Sequence, residues 1–161
     1  MMTTLCRAAG LLALAACATW AQDKPNFTGD WKLNKAKSDL GMMADRIPED
    51  FVIKVDHKEP ELKIINPGMR GGNQESKITT DGKESVTKRQ GPMGEVTARS
   101  VARWEGEALT VKTNIEMGNN TMDQSERWTL AKDGRTLTIE RRSSTPMGDF
   151  EIKQVLEKQE P

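Results

Sequence analysis

The chain contains no tyrosine, and its two cysteines, Cys6 and Cys17, both precede residue 20. The rest of the chain has neither a disulfide nor a thiol nucleophile. It must be held by its core alone, which a domain of about 140 residues can supply. His57 is the only histidine. No Ser-His-Asp set and no ligand cluster with metal-binding spacing can be assembled around it. A charge of one sign is missing as well, because Lys plus Arg and Asp plus Glu number 24 each. That balance gives no basic excess for nucleic acid and no acidic excess for cations. The stretch Gly68-Met69-Arg70-Gly71-Gly72 lacks the following Lys-Ser/Thr and helix of a phosphate loop. These absences point away from an enzyme, a cofactor or a metal site.

The first residues differ from the remainder. One early charge, Arg7, precedes an apolar run from Ala8 to Ala18. That run is too short to span a bilayer and has the form of a bacterial secretory signal. Cleavage after Ala21 gives a signal peptide of residues 1–21 and a single domain over 22–161. Alternatively, Leu14-Ala15-Ala16-Cys17 resembles a lipobox. The signal would then span 1–16, and a lipidated Cys17 would be the only membrane attachment. The expected location is periplasmic or secreted, or the outer membrane if Cys17 is lipidated.

From residue 51 onward, period-two alternation dominates, interrupted by Asp-Gly, Glu-Gly, Gly-Asn-Asn and Pro-Gly turn signals. The pattern predicts ten strands, near 30–34, 51–57, 61–66, 74–80, 83–89, 94–104, 108–117, 121–131, 135–143 and 149–157. Residues 35–48 break the alternation and predict a short helix or lid between the first two strands. Eight to ten antiparallel strands with one mostly apolar face imply an all-β, up-and-down meander closed into a barrel or clam. Closure also removes edge strands that would aggregate.

Turn lengths then set a register. Across Glu105–Ala108, Trp104 faces Leu109; across the 117–122 connection, Met117 faces Met122; across 131–136, Leu130 faces Leu137. All three keep apolar residues on one face, although a slip of one residue would flip every side chain. On this register Ser100, Thr113, Glu126 and Arg141 form an inward polar layer, with Gln124 in the next. Glu126 and Arg141 stand directly opposed. An arginine suits a carboxylate bidentately, and an unpaired charge inside a barrel is costly. Two roles follow for this layer. It is a pocket in which Arg141 anchors a ligand's acidic head, or it is a satisfied internal salt bridge with no ligand.

Successive turns of a meander alternate between its two ends. The connections at one end are short and charged, near His57–Pro60, Thr80–Lys83, Glu105–Ala108 and Lys132–Arg135. Met42, Met43, Met69, Met93, Met117, Met122 and Met147 all fall in or beside connections at the other end. Methionine is unbranched and polarisable, so a methionine rim suits a mouth that adapts to varied ligands. The same side chains could instead plug the end over a dry core. Soft-metal binding through thioethers is a third reading, with no cysteine and one histidine to assist. His57, beside a charged turn, is expected to be solvated.

Gly29-Asp30-Trp31 resembles the Gly-x-Trp opening of the lipocalin and fatty-acid-binding-protein (calycin) superfamily. The general pattern is also similar to that of small exported bacterial lipocalin-like proteins. The resemblance implies that this strand starts at the closed end, that Trp31 plugs the base and that the first loop flanks the mouth. Lipocalins also carry a threonine-aspartate-tyrosine motif, absent here, and a late basic residue stacked on the tryptophan, for which Lys153 and Lys158 are available. The fatty-acid-binding type implies an interior arginine meeting a ligand carboxylate, which points to Arg141. The expected function is an exported, monomeric, non-enzymatic binding protein for a small, largely apolar or amphipathic ligand. The alternative is a ligand-free structural or envelope-interaction domain with a filled core.

Overall fold

The computed structural model describes residues 24–67, 72–91 and 94–160. The signal-like segment with Cys17, together with Met69 and Met93, lies outside the described residues.

Ten antiparallel strands follow one another: β1 (Gly29–Leu33), β2 (Val52–Lys58), β3 (Glu61–Pro67), β4 (Asn73–Thr79), β5 (Asp81–Gly91), β6 (Gly94–Glu105), β7 (Ala108–Met117), β8 (Asn120–Leu130), β9 (Thr136–Thr145) and β10 (Gly148–Lys158). Neighbours in sequence pair, except β4 and β5, and β10 returns to β1, giving the order β4-β3-β2-β1-β10-β9-β8-β7-β6-β5. The seam of this nearly closed barrel lies between β4 and β5. Side chains bridge it: Thr79 N–H donates to Ser85 Oγ at 3.1 Å, and Arg89 Nη1 donates to Gln74 Oε1 at 2.8 Å.

Each strand follows from its alternation. In β2, Ile53, Val55 and His57 are buried while Lys54, Asp56 and Lys58 are exposed, as one wet and one dry face demand. The Trp104–Leu109 and Leu130–Leu137 pairings form as the turns predict. Gly106 takes φ +64° in the first of these turns, a left-handed conformation that glycine adopts without a Cβ clash.

The register between β7 and β8 differs from the expected one by two residues. Met117 pairs with Asn120, not Met122; Thr113 pairs with Gln124 and Val111 with Glu126. The turn is only Gly118-Asn119, with Gly118 at φ +60°. Asn120 and Thr121 join the ladder, which pairs backbone groups a longer loop would leave open. A shift of two keeps every side chain on its own face, so the alternation survives.

The inward rows are therefore re-sorted. Trp104, Leu109, Trp128, Ile139 and Gln154 form one row; Ala102, Val111, Glu126, Arg141 and Ile152 form the next. Beyond them come Ser100, Thr113, Gln124, Ser143 and Phe150. Toward the end of the short turns the interior is apolar, with Trp31, Leu109, Leu137 and Leu156 inaccessible to solvent. Toward the other end the inward residues Thr113, Gln124, Arg141, Met117, Met122 and Phe150 are only partly buried, so water reaches that half.

His57 is not solvated: it is 2% exposed. The residues ahead of β1 pass beneath the barrel and put Phe27, fully buried, against it. The Phe27 ring stacks on His57 at 5.6 Å and on Trp104 at 5.7 Å and meets Trp128 edge-on. Trp31 Nε1 donates to the Phe27 carbonyl at 2.8 Å. Trp31 and Trp128 are buried and Trp104 partly so, all in the sealed half. Lys158 is the basic residue over Trp31, its Nζ 5.5 Å from the ring. Lys153 instead joins the lid, exchanging two backbone hydrogen bonds with Asp39.

That lid consists of two 3-10 turns, Lys35–Lys37 and Gly41–Arg46, between β1 and β2. Leu40 anchors it in the core, and Ala44, Ile47 and Phe51 pack alongside. Among the methionines of the expected rim, Met42 is 79% and Met147 96% exposed. Met43, Met117 and Met122 are half-buried.

Candidate ligand-binding site

The centre of the water-accessible half is Glu126. Alternation on β8 turns it inward, two residues from the buried Trp128. Its side chain is 10% exposed. Three donors satisfy it: Arg141 Nε at 2.7 Å and Gln124 Nε2 at 2.8 Å on Oε1, and Trp128 Nε1 at 2.8 Å on Oε2. Burial of an unpaired carboxylate would cost several kcal/mol, on the order of the effective desolvation penalty for a buried ion; these bonds offset it.

Arg141 keeps 30% of its side chain exposed. Its Nε donates to Glu126, and among the described residues no second residue is seen to bond its guanidinium. A guanidinium presents five N–H donors, so one bond to Glu126 leaves capacity for a further acceptor. One row closer to the mouth, Ser100 and Thr113 share a hydrogen bond of 2.9 Å. Beside Gln124 in that row stands Ser143, 1% exposed, whose Oγ has no partner. A buried hydroxyl without a partner is uncommon, since its lost hydration is not replaced.

Ser100, Thr113, Gln124, Glu126 and Arg141 are thus brought together inside the barrel. The grouping differs from the expected layer: Gln124, not Glu126, shares the row of Ser100 and Thr113. Ser85, Thr87 and Arg89 were not foreseen as part of this wall. Pairing of Ser85 with Ser100, Thr87 with Ala98 and Arg89 with Val96 turns all three inward. The available signal was the composition of β4 and β5, which have polar residues on both faces. Asn73-Gln74-Glu75-Ser76-Lys77 and Lys83-Glu84-Ser85 offer hardly any apolar stripe.

A second polar cluster sits at the sealed end. Glu59 accepts from Thr80 Oγ1 at 2.6 Å, Trp104 Nε1 at 2.8 Å and His57 Nε2 at 3.1 Å. Burial acts to raise its carboxyl pKa, but these hydrogen bonds and the charge of Lys24 outweigh burial and hold it below the ordinary value. This cluster fastens the base. Among the described residues no group of three or more metal-ligating side chains occurs. A depression of about 490 Å³ lies along the β7–β10 wall, among Lys112, Arg127, Glu140 and Lys153, and its lining includes Glu126 and Arg141. Arg127 pairs there with Glu105 at 3.0 Å, and Arg142 with Glu151.

No protein-family model matches the chain, and no curated protein matches it in sequence. Solved structures do. The zebrafish ileal bile acid-binding protein complexed with cholic acid is 15% identical, with a TM-score of 0.54 over 83% of this chain and 98% of that one. Secretory abundant heat soluble protein 4 from Ramazzottius varieornatus is 18% identical, with a TM-score of 0.51 over 85% of this chain and 96% of that one. With its ten-strand order, its lid between β1 and β2 and these two likenesses, the chain has a calycin-like fold.

Proposed function

We propose that the chain is an exported, monomeric binding protein that carries a small amphipathic molecule with an acidic head group in the mouth-side half of its barrel. One observation carries the reading. Arg141 lies in an inward row with 30% of its side chain exposed, and it bonds Glu126 through Nε, one row from the orphaned Ser143 hydroxyl. A carboxylate or similar anion there would take the guanidinium's fork bidentately. The apolar part of the ligand would lie against Ile115, Met117, Met122 and Phe150, with Met42 and Met43 of the lid near the entrance. Met147 would stand at the rim. The ligand that the zebrafish neighbour holds, cholic acid, supports a site for an amphipathic acid in a barrel of this kind. Residues 1–21 would direct export, or 1–16 with lipidation at Cys17. The role is carriage rather than catalysis.

Native mass spectrometry of protein purified from its host, paired with titration of a fluorescent fatty acid, tests the reading. A retained lipid-sized adduct and saturable binding lost in Arg141→Met are expected. A clean apo mass with no saturable binding overturns it. Export is tested separately, by N-terminal sequencing of envelope fractions and by Cys17→Ser, which releases the protein from membranes if Cys17 is lipidated.

A specific observation favours a second reading. Glu126 is fully satisfied by Arg141, Gln124 and Trp128. In a ligand-free structural or envelope-interaction domain, this layer would only tie the walls together. Equal fatty-acid titrations in wild type, Glu126→Gln and Arg141→Met would favour it.

A further inference from the structure

We infer that the ligand of this barrel is a hydroxylated or otherwise hydrogen-bonding acid rather than a plain acyl chain, with a polar group placed one side-chain row from its acidic head. The inference rests on the proposed carriage reading and specifies its ligand class. Its basis is a continuous belt. Ser85 pairs with Ser100, Ser100 with Thr113, Thr113 with Gln124 and Gln124 with Ser143, so five adjacent strands, β5 to β9, each turn a hydroxyl or amide inward at one level. A wall built for an acyl chain needs apolar side chains there, because polar groups covered by hydrocarbon lose water and gain nothing.

The belt is incompletely satisfied by the protein. Ser85 Oγ accepts from Thr79 N–H, Ser100 and Thr113 bond each other, and Gln124 donates to Glu126. Ser143 Oγ is left with no partner although its residue is 1% exposed. It sits next to Gln124 across the β8–β9 ladder, at the edge of the belt nearest Phe150. A ligand hydroxyl, which both donates and accepts, is the group that this position lacks.

The spacing is set by the sheet. Ser143 is two residues from Arg141 on β9, so the two rows are roughly 7 Å apart along the strand. An acid held at Arg141 would bring the fifth to seventh carbon of its chain level with the belt. A site that hydrogen-bonds a ligand hydroxyl discriminates strongly against the analogue lacking it, because its own polar groups are then stranded.

The test is displacement of a bound fluorescent fatty acid by three competitors. These are stearate, a hydroxystearate with the hydroxyl on the sixth carbon, and an isomer hydroxylated at the chain terminus. The sixth-carbon isomer is expected to bind about tenfold tighter than stearate, as good hydrogen bonds to otherwise unpaired groups do. The terminal isomer should show no such gain. Ser143→Ala should abolish the advantage and leave stearate binding as tight or tighter. Thr113→Val, checked by thermal melting alongside Ser143→Ala, guards against a misfolded variant and should reduce the same advantage. If stearate equals or exceeds the sixth-carbon isomer on the wild-type protein, the inference is overturned while acid carriage stands. If no fatty acid binds saturably, both fall.

Discussion

Phe27 and His57 sit ring against ring at the sealed end, and the Phe27 N–H donates to His57 Nδ1 at 3.2 Å. The contact ties the segment ahead of β1 to the end of β2. Because Nδ1 accepts, the ring proton sits on Nε2, where it meets Glu59 Oε1 at 3.1 Å. The sole histidine is therefore a fastening of the barrel base. His57→Leu keeps the bulk but leaves a buried N–H unpaired, an expected loss of about 1–3 kcal/mol. Phe27→Ala opens a cavity among three aromatic rings and should cost about 3–5 kcal/mol. Urea unfolding of both variants measures the difference. A neutral Phe27→Ala would mean that the leading segment does not plug the base.

Acid should loosen the same end. The Glu59 carboxyl lies below its ordinary value of 4.5, because hydrogen bonds from Thr80, Trp104 and His57 overcome the upward push of burial. A carboxyl depressed in the folded state stabilises the fold above the unfolded value, and that stability is lost as pH falls through the folded value. Asp81, pulled down to about 2 by the Lys83 and Thr79 side chains and the Lys83 backbone, behaves in the same direction. The informative quantity is therefore the stability difference between wild type and Glu59→Gln. It should be constant at neutral pH and shrink below about pH 4.5. A difference independent of pH down to acid unfolding would remove Glu59 as the acid-sensitive group.

The Glu126–Arg141 pair calls for a double-mutant cycle. Glu126→Leu strands Arg141 and also the Trp128 and Gln124 donors. The expected cost is about 3 kcal/mol, the low end for a buried pair, since Arg141 retains solvent contact. Glu126→Leu with Arg141→Met should cost only about 1 kcal/mol, the remainder reflecting the unpaired Trp128 N–H. Additive single and double variants in chemical denaturation would show that the two residues do not act as a pair.

The short β7–β8 turn can be checked at Gly118. Its φ of +60° disfavours any side chain, so Gly118→Ala should destabilise by about 1–2 kcal/mol. Nuclear Overhauser contacts should link Thr113 with Gln124 across the strands. Contacts linking Thr113 with Glu126 would restore the longer loop and move Glu126 into the polar belt.

Much of the fold was legible because each strand has one wet and one dry face, and turn glycines mark where the alternation restarts. The ten strands, the lid between β1 and β2 and the facing of Glu126 and Arg141 all follow from that local pattern. The β7–β8 register was not legible. Alternation has a period of two, so pairing Met117 with Asn120 or with Met122 satisfies it equally. The burial of His57 was equally hidden. Its partners come from the residues ahead of β1 and from Glu59, and Trp104 stacks nearby from β6.

Sequence by itself determined the strands and their inward faces, because each depends on neighbours along the chain. Tertiary structure alone decided that β4 and β5 meet at an unladdered seam and that polar residues on five strands fall level in one belt. It also decided that the Ser143 hydroxyl ends without a partner. Those outcomes depend on how far each strand slides along the next before the barrel closes. Residues many turns apart set that distance, through the packing of Phe27, Trp31 and Trp128 at the base and the lengths of turns that alternation does not register.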